Sequence, residues 1–163
     1  MRAAWISIAA LVAMGCGSEV NLSAVPLAVA GCEAPTEELL VPQAPMLPGR
    51  ACITCHAVGG QAENLPWTAA GTVYDSPSSP CNTGGVANAK VEIADETRKV
   101  LITLFTNRTG NFFTAEPLKY NKLIVRVSKD GKVREMASAL PSNANCALCH
   151  YSGGPAGSRV YLN

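Results

Sequence analysis

The chain has 163 residues, with 13 basic and 12 acidic side chains and a formal net charge of +1. This length suits one ordinary domain with short appendages, and a hydrophobic content of 48% predicts a folded core rather than disorder. Because the two signs of charge nearly cancel, no polyanionic partner such as nucleic acid is expected.

Residues 1–15 have the pattern of an export signal. Arg2 supplies a minimal positive charge, a mainly apolar stretch covers residues 3–13, and small residues follow. The stretch is too short to span a bilayer as a mature helix, which takes about 20 apolar residues. The sequence therefore predicts a signal peptide and export from the cytoplasm.

The end of this signal, residues 11–16 (LVAMGC), resembles the lipobox of bacterial lipoproteins. The resemblance implies that Cys16 receives lipid and becomes the mature N-terminus. By the family's sorting rule, Gly17 would favour an outer-membrane lipoprotein facing the periplasm or the cell surface. A plain secretory signal that is cut elsewhere is the alternative.

Residues 16–48 are rich in Ala, Pro and Glu and show no sustained period. Pro42, Pro45 and Pro48 would stop any extended helix. This stretch is therefore predicted to be a flexible tether that leads from the lipid anchor to the first motif described next.

Residues 49–66 and 139–163 each carry one CxxCH motif, and the chain's two histidines, His56 and His150, complete these motifs. CxxCH is the sequence to which haem c is attached. Each thiol can form a thioether with a haem vinyl group, and the histidine can bind the iron as proximal ligand. The sequence thus predicts two covalent haem c groups, with Cys52, Cys55, Cys146 and Cys149 as thioether donors.

A four-cysteine zinc site or a redox dithiol is the alternative for two CxxC pairs. Zinc ribbons usually place their pairs about 15–20 residues apart, whereas Cys52 and Cys146 are 94 positions apart. A zinc site also has no need of a histidine directly after each pair. Both observations favour haem.

The distal iron ligands are open, because both histidines are used as proximal ligands. Met46 and Met136, one upstream of each motif, are the candidates, since thioether ligation gives low-spin haem of raised potential. Core packing for Met136 and a loop contact for Met46 are the alternatives. Lysine, tyrosine, water, an open site or a ligand from a second subunit also remain.

Cys32 and Cys81 are left over after the lipidated and haem-binding cysteines are assigned. In an oxidising compartment two remaining cysteines suggest a disulfide. Two separate thiols are the alternative.

Between the motifs, residues 67–138 change to a period of two. Strands are predicted over residues 67–74, 89–93, 99–106, from 111, over 123–127 and over 133–136, with Asp130-Gly131 as the strongest hairpin signal. The strand over 99–106 is apolar on both faces and is predicted to be central. Residues 160–162 add a terminal strand or simply pack. The pattern predicts a mainly β chain with a small β-sandwich.

The same region resembles the carboxypeptidase regulatory-like domain. The resemblance rests on residues 71–74 (GTVY), 86–93 (VANAKVEI), 106–113 (TNRTGNFF) and 123–127 (LIVRV). It implies a transthyretin-like/Ig-like β-sandwich flanked by the two short haem-binding segments. It implies no catalysis, because a fold alone does not specify a function.

The whole chain resembles a dihaem c-type cytochrome lipoprotein. The resemblance implies electron transfer rather than enzymatic catalysis, with redox partner proteins that include other multihaem cytochromes. The sandwich is expected to bring the two motifs near each other, so that the haems exchange electrons. A haem-based sensor, a peroxidase-like protein with one open iron site, a partner-binding sandwich and a zinc-binding structural module are the alternatives.

Overall fold

The computed structural model describes Cys32 and residues 47–137, 139 and 144–163. The predicted signal peptide, the lipidation site Cys16 and the candidate ligand Met46 lie outside the described residues, as does most of the predicted tether. Within the described ranges, no helix has the length and apolar character that crossing a membrane requires.

Strands dominate the described residues. They are β1 (Ala69–Tyr74), β2 (Lys90–Asp95), β3 (Val100–Phe105), β4 (Asn111–Thr114), β5 (Leu123–Lys129), β6 (Lys132–Glu135) and β7 (Val160–Tyr161). Helical structure is short, comprising α1 (Cys52–Cys55) and a 3-10 turn at Cys146–Leu148. The prediction of a small, mainly β chain is confirmed.

The strands form two sheets that share one core. One sheet has the order β3-β2-β5-β6 and is antiparallel, and the other has the order β4-β1-β7. In the second sheet β1 is antiparallel to β4 and parallel to β7, so the segment 139–163 contributes a strand to it. Buried side chains of both sheets, such as Val73 of β1 and Ile93 of β2, belong to the same hydrophobic cluster. Burial of this apolar surface is the main term that holds the sheets together.

Strand β1 is buried along its whole length and joins both CxxCH segments to the sheets. The backbone N–H of Ala70 donates to the carbonyl of Ala144 (3.1 Å), next to the second motif. On the other side, the N–H of Gly49 donates to Oγ1 of Thr72 (2.8 Å). The two motifs are therefore anchored to one strand.

The β5–β6 hairpin confirms the turn predicted at Asp130-Gly131. Asp130 has φ of 49° and Gly131 has φ of 78°, and Lys129 pairs with Lys132 across the turn. Two consecutive residues with positive φ are what a type I′ turn requires, and Asp-Gly is a preferred sequence for it.

The prediction that the strand over 99–106 is central was wrong. β3 lies at the edge of the four-stranded sheet, where β2 covers only one of its sides. Ile102 and Leu104 pack against the core, whereas Val100 and Phe105 are 46% and 65% exposed. The apolar residues on the second face therefore reflect exposed hydrophobic side chains and not a covering layer.

The suggested disulfide between Cys32 and Cys81 is present. Both cysteines are buried, and Tyr151, which directly follows His150, packs against them. The hydroxyl of Tyr74 donates to the carbonyl of Cys81 (3.2 Å). The disulfide thus ties the N-terminal segment to the end of β1 and to the second motif.

Candidate functional site

The first motif begins on the single turn of α1. The backbone N–H of His56 donates to the carbonyl of Cys52 (2.9 Å), which sets the histidine directly after the helical turn. Residues three apart on a helix lie on the same face, so the helical turn places Cys52 and Cys55 toward one side. This is the arrangement that two thioether bonds to one porphyrin require.

The second motif has the same backbone geometry. The N–H of His150 donates to the carbonyl of Cys146 (2.9 Å). In each motif, the second cysteine's carbonyl then accepts a hydrogen bond from an alanine, Ala62 at 2.9 Å in the first and Ala156 at 3.1 Å in the second. The chain after each histidine therefore folds back over the motif in the same way.

A glycine pair makes this return possible in both motifs. A Cβ on Gly60 would lie 2.3 Å from the carbonyl oxygen of Cys55, and one on Gly154 would lie 2.6 Å from that of Cys149. No side chain fits at such distances. The two segments are thus copies of an internal repeat, CxxCHxxGGxA, at residues 52–62 and 146–156. Sequence reasoning missed this repeat, although the shared letters beyond CxxCH were the signal.

Both histidines present the same ring nitrogen to a backbone carbonyl. Nδ1 of His56 lies 2.9 Å from the oxygen of Leu65, and Nδ1 of His150 lies 3.2 Å from the oxygen of Ser158. A carbonyl oxygen can only accept a hydrogen bond, so Nδ1 carries the proton in each neutral ring and Nε2 keeps its lone pair. A histidine whose other nitrogen is held in this way is prepared to ligate a metal.

The Nε2 atom of His56 is buried and has no hydrogen-bond partner among the described residues. The side chain is only 4% exposed, so water does not solvate the ring freely. Leaving such an acceptor unpaired costs about 1–3 kcal/mol. An iron ion bound at Nε2 would satisfy it, and the residue therefore fits the role of proximal ligand.

A cavity of about 350 Å³ lies beside the second motif. His150, Cys146 and Cys149 line one side, and side chains of β5, β6 and β7 line the other. Its size falls in the range of about 300–1,000 Å³ that is usual for ligand sites. Burial lowers the pKa of His150 below its usual 6.5, against an opposing effect of the hydrogen bond to Ser158, so its ring is neutral at pH 7.

Met136 lines the same cavity as His150. Its side chain also packs against the core, and Sδ accepts a hydrogen bond from the N–H of Val125 (3.3 Å). Both sequence interpretations of Met136 therefore have support, because core packing and a position on the cavity wall occur together. A thioether sulfur is a weak acceptor, so this contact could yield to an iron ion.

Two guanidinium groups also reach the cavity wall. Arg159 is 5% exposed and lies over the ring of Tyr74, with Cζ 4.9 Å from the ring centroid. Arg134 lies over the ring of Tyr161 at 3.9 Å. Guanidinium groups pair well with carboxylates, and haem carries two propionates. Sequence reasoning gave Arg159 no role, because its burial depends on contacts between distant segments.

The thiols of the two motifs are held in their neutral form. Burial raises the pKa of Cys52 to about 11 and, in the second motif, that of Cys146 to about 12. Repulsion from Cys52 adds to the shift of Cys146, which means that the first cysteines of the two motifs are close enough to interact. Cys52, Cys55 and Cys146 are free thiols, whereas Cys149 takes part in a disulfide.

The four motif cysteines do not converge on one site. Across residues 47–137, 139 and 144–163, and at Cys32, no three His, Cys, Asp or Glu side chains are grouped so that they could hold a metal ion. The four-cysteine zinc site therefore has no geometric support. The described residues fit two separate groups, each bound by one motif.

Comparison of the chain with protein-family models, with curated proteins and with solved structures found no match. Its function must therefore be argued from its own residues. The strongest basis for that argument is the geometry shared by the two CxxCH segments.

Proposed function

We propose that the chain is an exported dihaem c-type cytochrome that transfers electrons in the periplasm or at the outer membrane. The observation that carries this proposal is the common state of His56 and His150. Each imidazole has Nδ1 bound to a backbone carbonyl and Nε2 left for a ligand. When bound, haem c supplies a one-electron iron couple whose potential depends on its axial ligands and surroundings.

The thioethers would form at Cys52 and Cys55 in the first motif, and at Cys146 and Cys149 in the second. Attachment adds each S–H group across a haem vinyl group, and the raised pKa of Cys52 and Cys146 keeps that proton on sulfur near pH 7. Cys149 must be reduced before it can react, because it is disulfide-bonded in the structure. The small, glycine-closed loops then hold each histidine under its porphyrin.

Met136 is the candidate distal ligand of the second haem, since it shares the cavity with His150. Arg134 and Arg159, on the same wall, are suited to the propionates. Met46 stays the candidate for the first haem. A histidine–methionine pair raises the reduction potential and gives a low-spin iron, which suits a carrier that exchanges electrons without binding substrate.

The β-sheets would serve as the scaffold that holds the two haems together. We assign them to a transthyretin-like/Ig-like sandwich, which is supported by two sheets around a common core. Attachment of both motifs to β1, and the interaction between Cys52 and Cys146, support direct electron exchange between the haems. Lipid on Cys16 would hold the chain at the outer membrane, near redox partners such as multihaem cytochromes.

A haem-based sensor or peroxidase-like protein is the second candidate. Within the described residues, Met136 is the only methionine and it belongs to the second site. The first iron would then have an open sixth position. Cyanide added to the ferric protein, or carbon monoxide added to the ferrous protein, distinguishes the two functions, because two low-spin haems that bind neither ligand exclude this candidate.

Paired cysteine substitutions test the proposed function motif by motif. The full chain is produced in a host that matures c-type cytochromes, and haem is measured as the pyridine haemochrome. Cys52→Ser/Cys55→Ser and Cys146→Ser/Cys149→Ser should each retain one covalent haem. Wild-type levels of haem in either double variant would contradict the assignment.

A further inference from the structure

Three aromatic rings form a continuous stack at the first motif. The imidazole of His56 lies 3.5 Å from the Trp67 ring, centroid to centroid, at an interplanar angle of 10°. Trp67 in turn lies 4.2 Å from the ring of Phe113, at 13°. The stack leads from a buried histidine to Phe113 on β4, whose side chain is 47% exposed.

Backbone pairing holds this stack in place. The N–H of Trp67 donates to the carbonyl of His56 (2.9 Å), so the two stacked rings belong to directly bonded residues. Phe113 pairs with Ala70 across β1 and β4, three positions after Trp67. The indole is therefore fixed between the motif and the sheet, and its orientation does not depend on a flexible loop.

The imidazole of His56 is consequently restrained in two independent ways. The hydrogen bond from Nδ1 to Leu65 fixes the direction of the ring edge. Contact with the indole fixes the plane of the ring and shields one of its faces from water. Together they aim Nε2, the unpartnered atom, in one direction.

The second copy of the internal repeat lacks this restraint. Tyr161 stands at the position that corresponds to Trp67, eleven residues after the motif histidine. It pairs with Tyr74 in the sheet, and its ring faces Arg134. The same aromatic position in the repeat thus serves the histidine in one copy and the sheet in the other.

We propose that Trp67 is a positioning residue for the first haem: face-to-face stacking holds the His56 imidazole plane and excludes water, which gives that haem its own ligand orientation and reduction potential. This inference rests on the proposed function, because it requires haem at the first motif. Water beside the ligand favours the more highly charged ferric state, so loss of the indole should lower the potential of the first haem.

The test compares Trp67→Leu with wild type, using the haem-loaded full chain. Two readouts are taken: the low-spin electron paramagnetic resonance spectrum of the ferric protein and a potentiometric titration of both haems. One of the two resonance signals should shift and one of the two potentials should fall, while the other haem is unchanged. Trp67→Phe should restore most of both values, because a phenyl ring can still stack on the imidazole.

Two further variants keep the test decisive if Trp67→Leu fails to fold. Phe113→Leu, at a half-exposed position, frees the outer face of the indole and should shift the same signal by a smaller amount. Phe105→Leu, an exposed residue of β3, is the matched control and should shift neither signal.

Unchanged signals in both Trp67→Leu and Phe113→Leu would overturn the proposal, as would equal changes at both haems. Haem content separates this result from a failure of the proposed function. If the wild-type chain carries no covalent haem at Cys52 and Cys55, the proposed function itself is wrong.

Discussion

Replacing Gly60 by alanine tests whether the first motif needs the tight return of the chain over its own backbone. The added Cβ would lie 2.3 Å from the oxygen and 2.8 Å from the carbon of the Cys55 carbonyl, and 2.8 Å from the oxygen of Thr54. All three atoms belong to the backbone, so no side chain can rotate away to make room. The motif must therefore open or the loop must move.

Overpacking of this kind costs typically about 1–3 kcal/mol. For a chain of this size, about 2 kcal/mol corresponds to a fall in Tm of roughly 4–8 °C. The displaced loop also carries Leu65, whose carbonyl holds Nδ1 of His56. We therefore expect Gly60→Ala to lower both the Tm of the haem-free chain and the haem occupancy of the first motif.

The assay is thermal unfolding by circular dichroism, together with haem content by intact mass. Gln61→Ala, at the exposed neighbouring position, is the matched control and should change stability by less than about 0.5 kcal/mol. Gly154→Ala should reproduce the effect at the second motif, because its Cβ would lie 2.6 Å from the Cys149 oxygen. If Gly60→Ala has wild-type Tm and occupancy, the close approach has no importance and the reasoning fails.

Three other outcomes are expected. Cys81→Ser should lower the free energy of unfolding by about 2–4 kcal/mol in urea titrations, because the Cys32 disulfide no longer restricts the unfolded chain; an unchanged midpoint would contradict this. The haem-free chain should lose stability as pH rises from 9.0 toward 11–12, because unfolded thiols ionise near 9.0 whereas Cys52 and Cys146 stay protonated to about 11 and 12. Urea titrations should show no such loss from these thiols in the haem-loaded chain, where thioethers replace them. Met136→Leu should keep the core packed yet lower the potential of the second haem, and an unchanged titration would remove Met136 as a ligand.

Local sequence signals predicted the parts of the molecule that depend on a few neighbouring residues. The Asp130-Gly131 turn is one case, because positive φ at two consecutive positions is a property of the turn residues themselves. The helical turn at Cys52 is another, since both sulfurs and His56 must serve one group. These features require no knowledge of distant segments.

Features that depend on distant segments were not predicted. β3 is apolar on both faces, yet the sequence alone does not show that it lies at the edge of its sheet. The stack of His56, Trp67 and Phe113 requires β1 and β4 to pair in one register, which no local pattern specifies. The internal repeat differs from these, because its shared glycines and alanine were visible in the sequence.

The most direct test of the central claim is the intact mass of the purified full chain after denaturation, when it has been produced in a host that matures c-type cytochromes. Denaturation removes any haem that is bound only through iron, so the remaining mass reports covalent attachment. The account predicts the mass of the processed chain plus two haem groups. A chain that carries no haem, or only one, would contradict it.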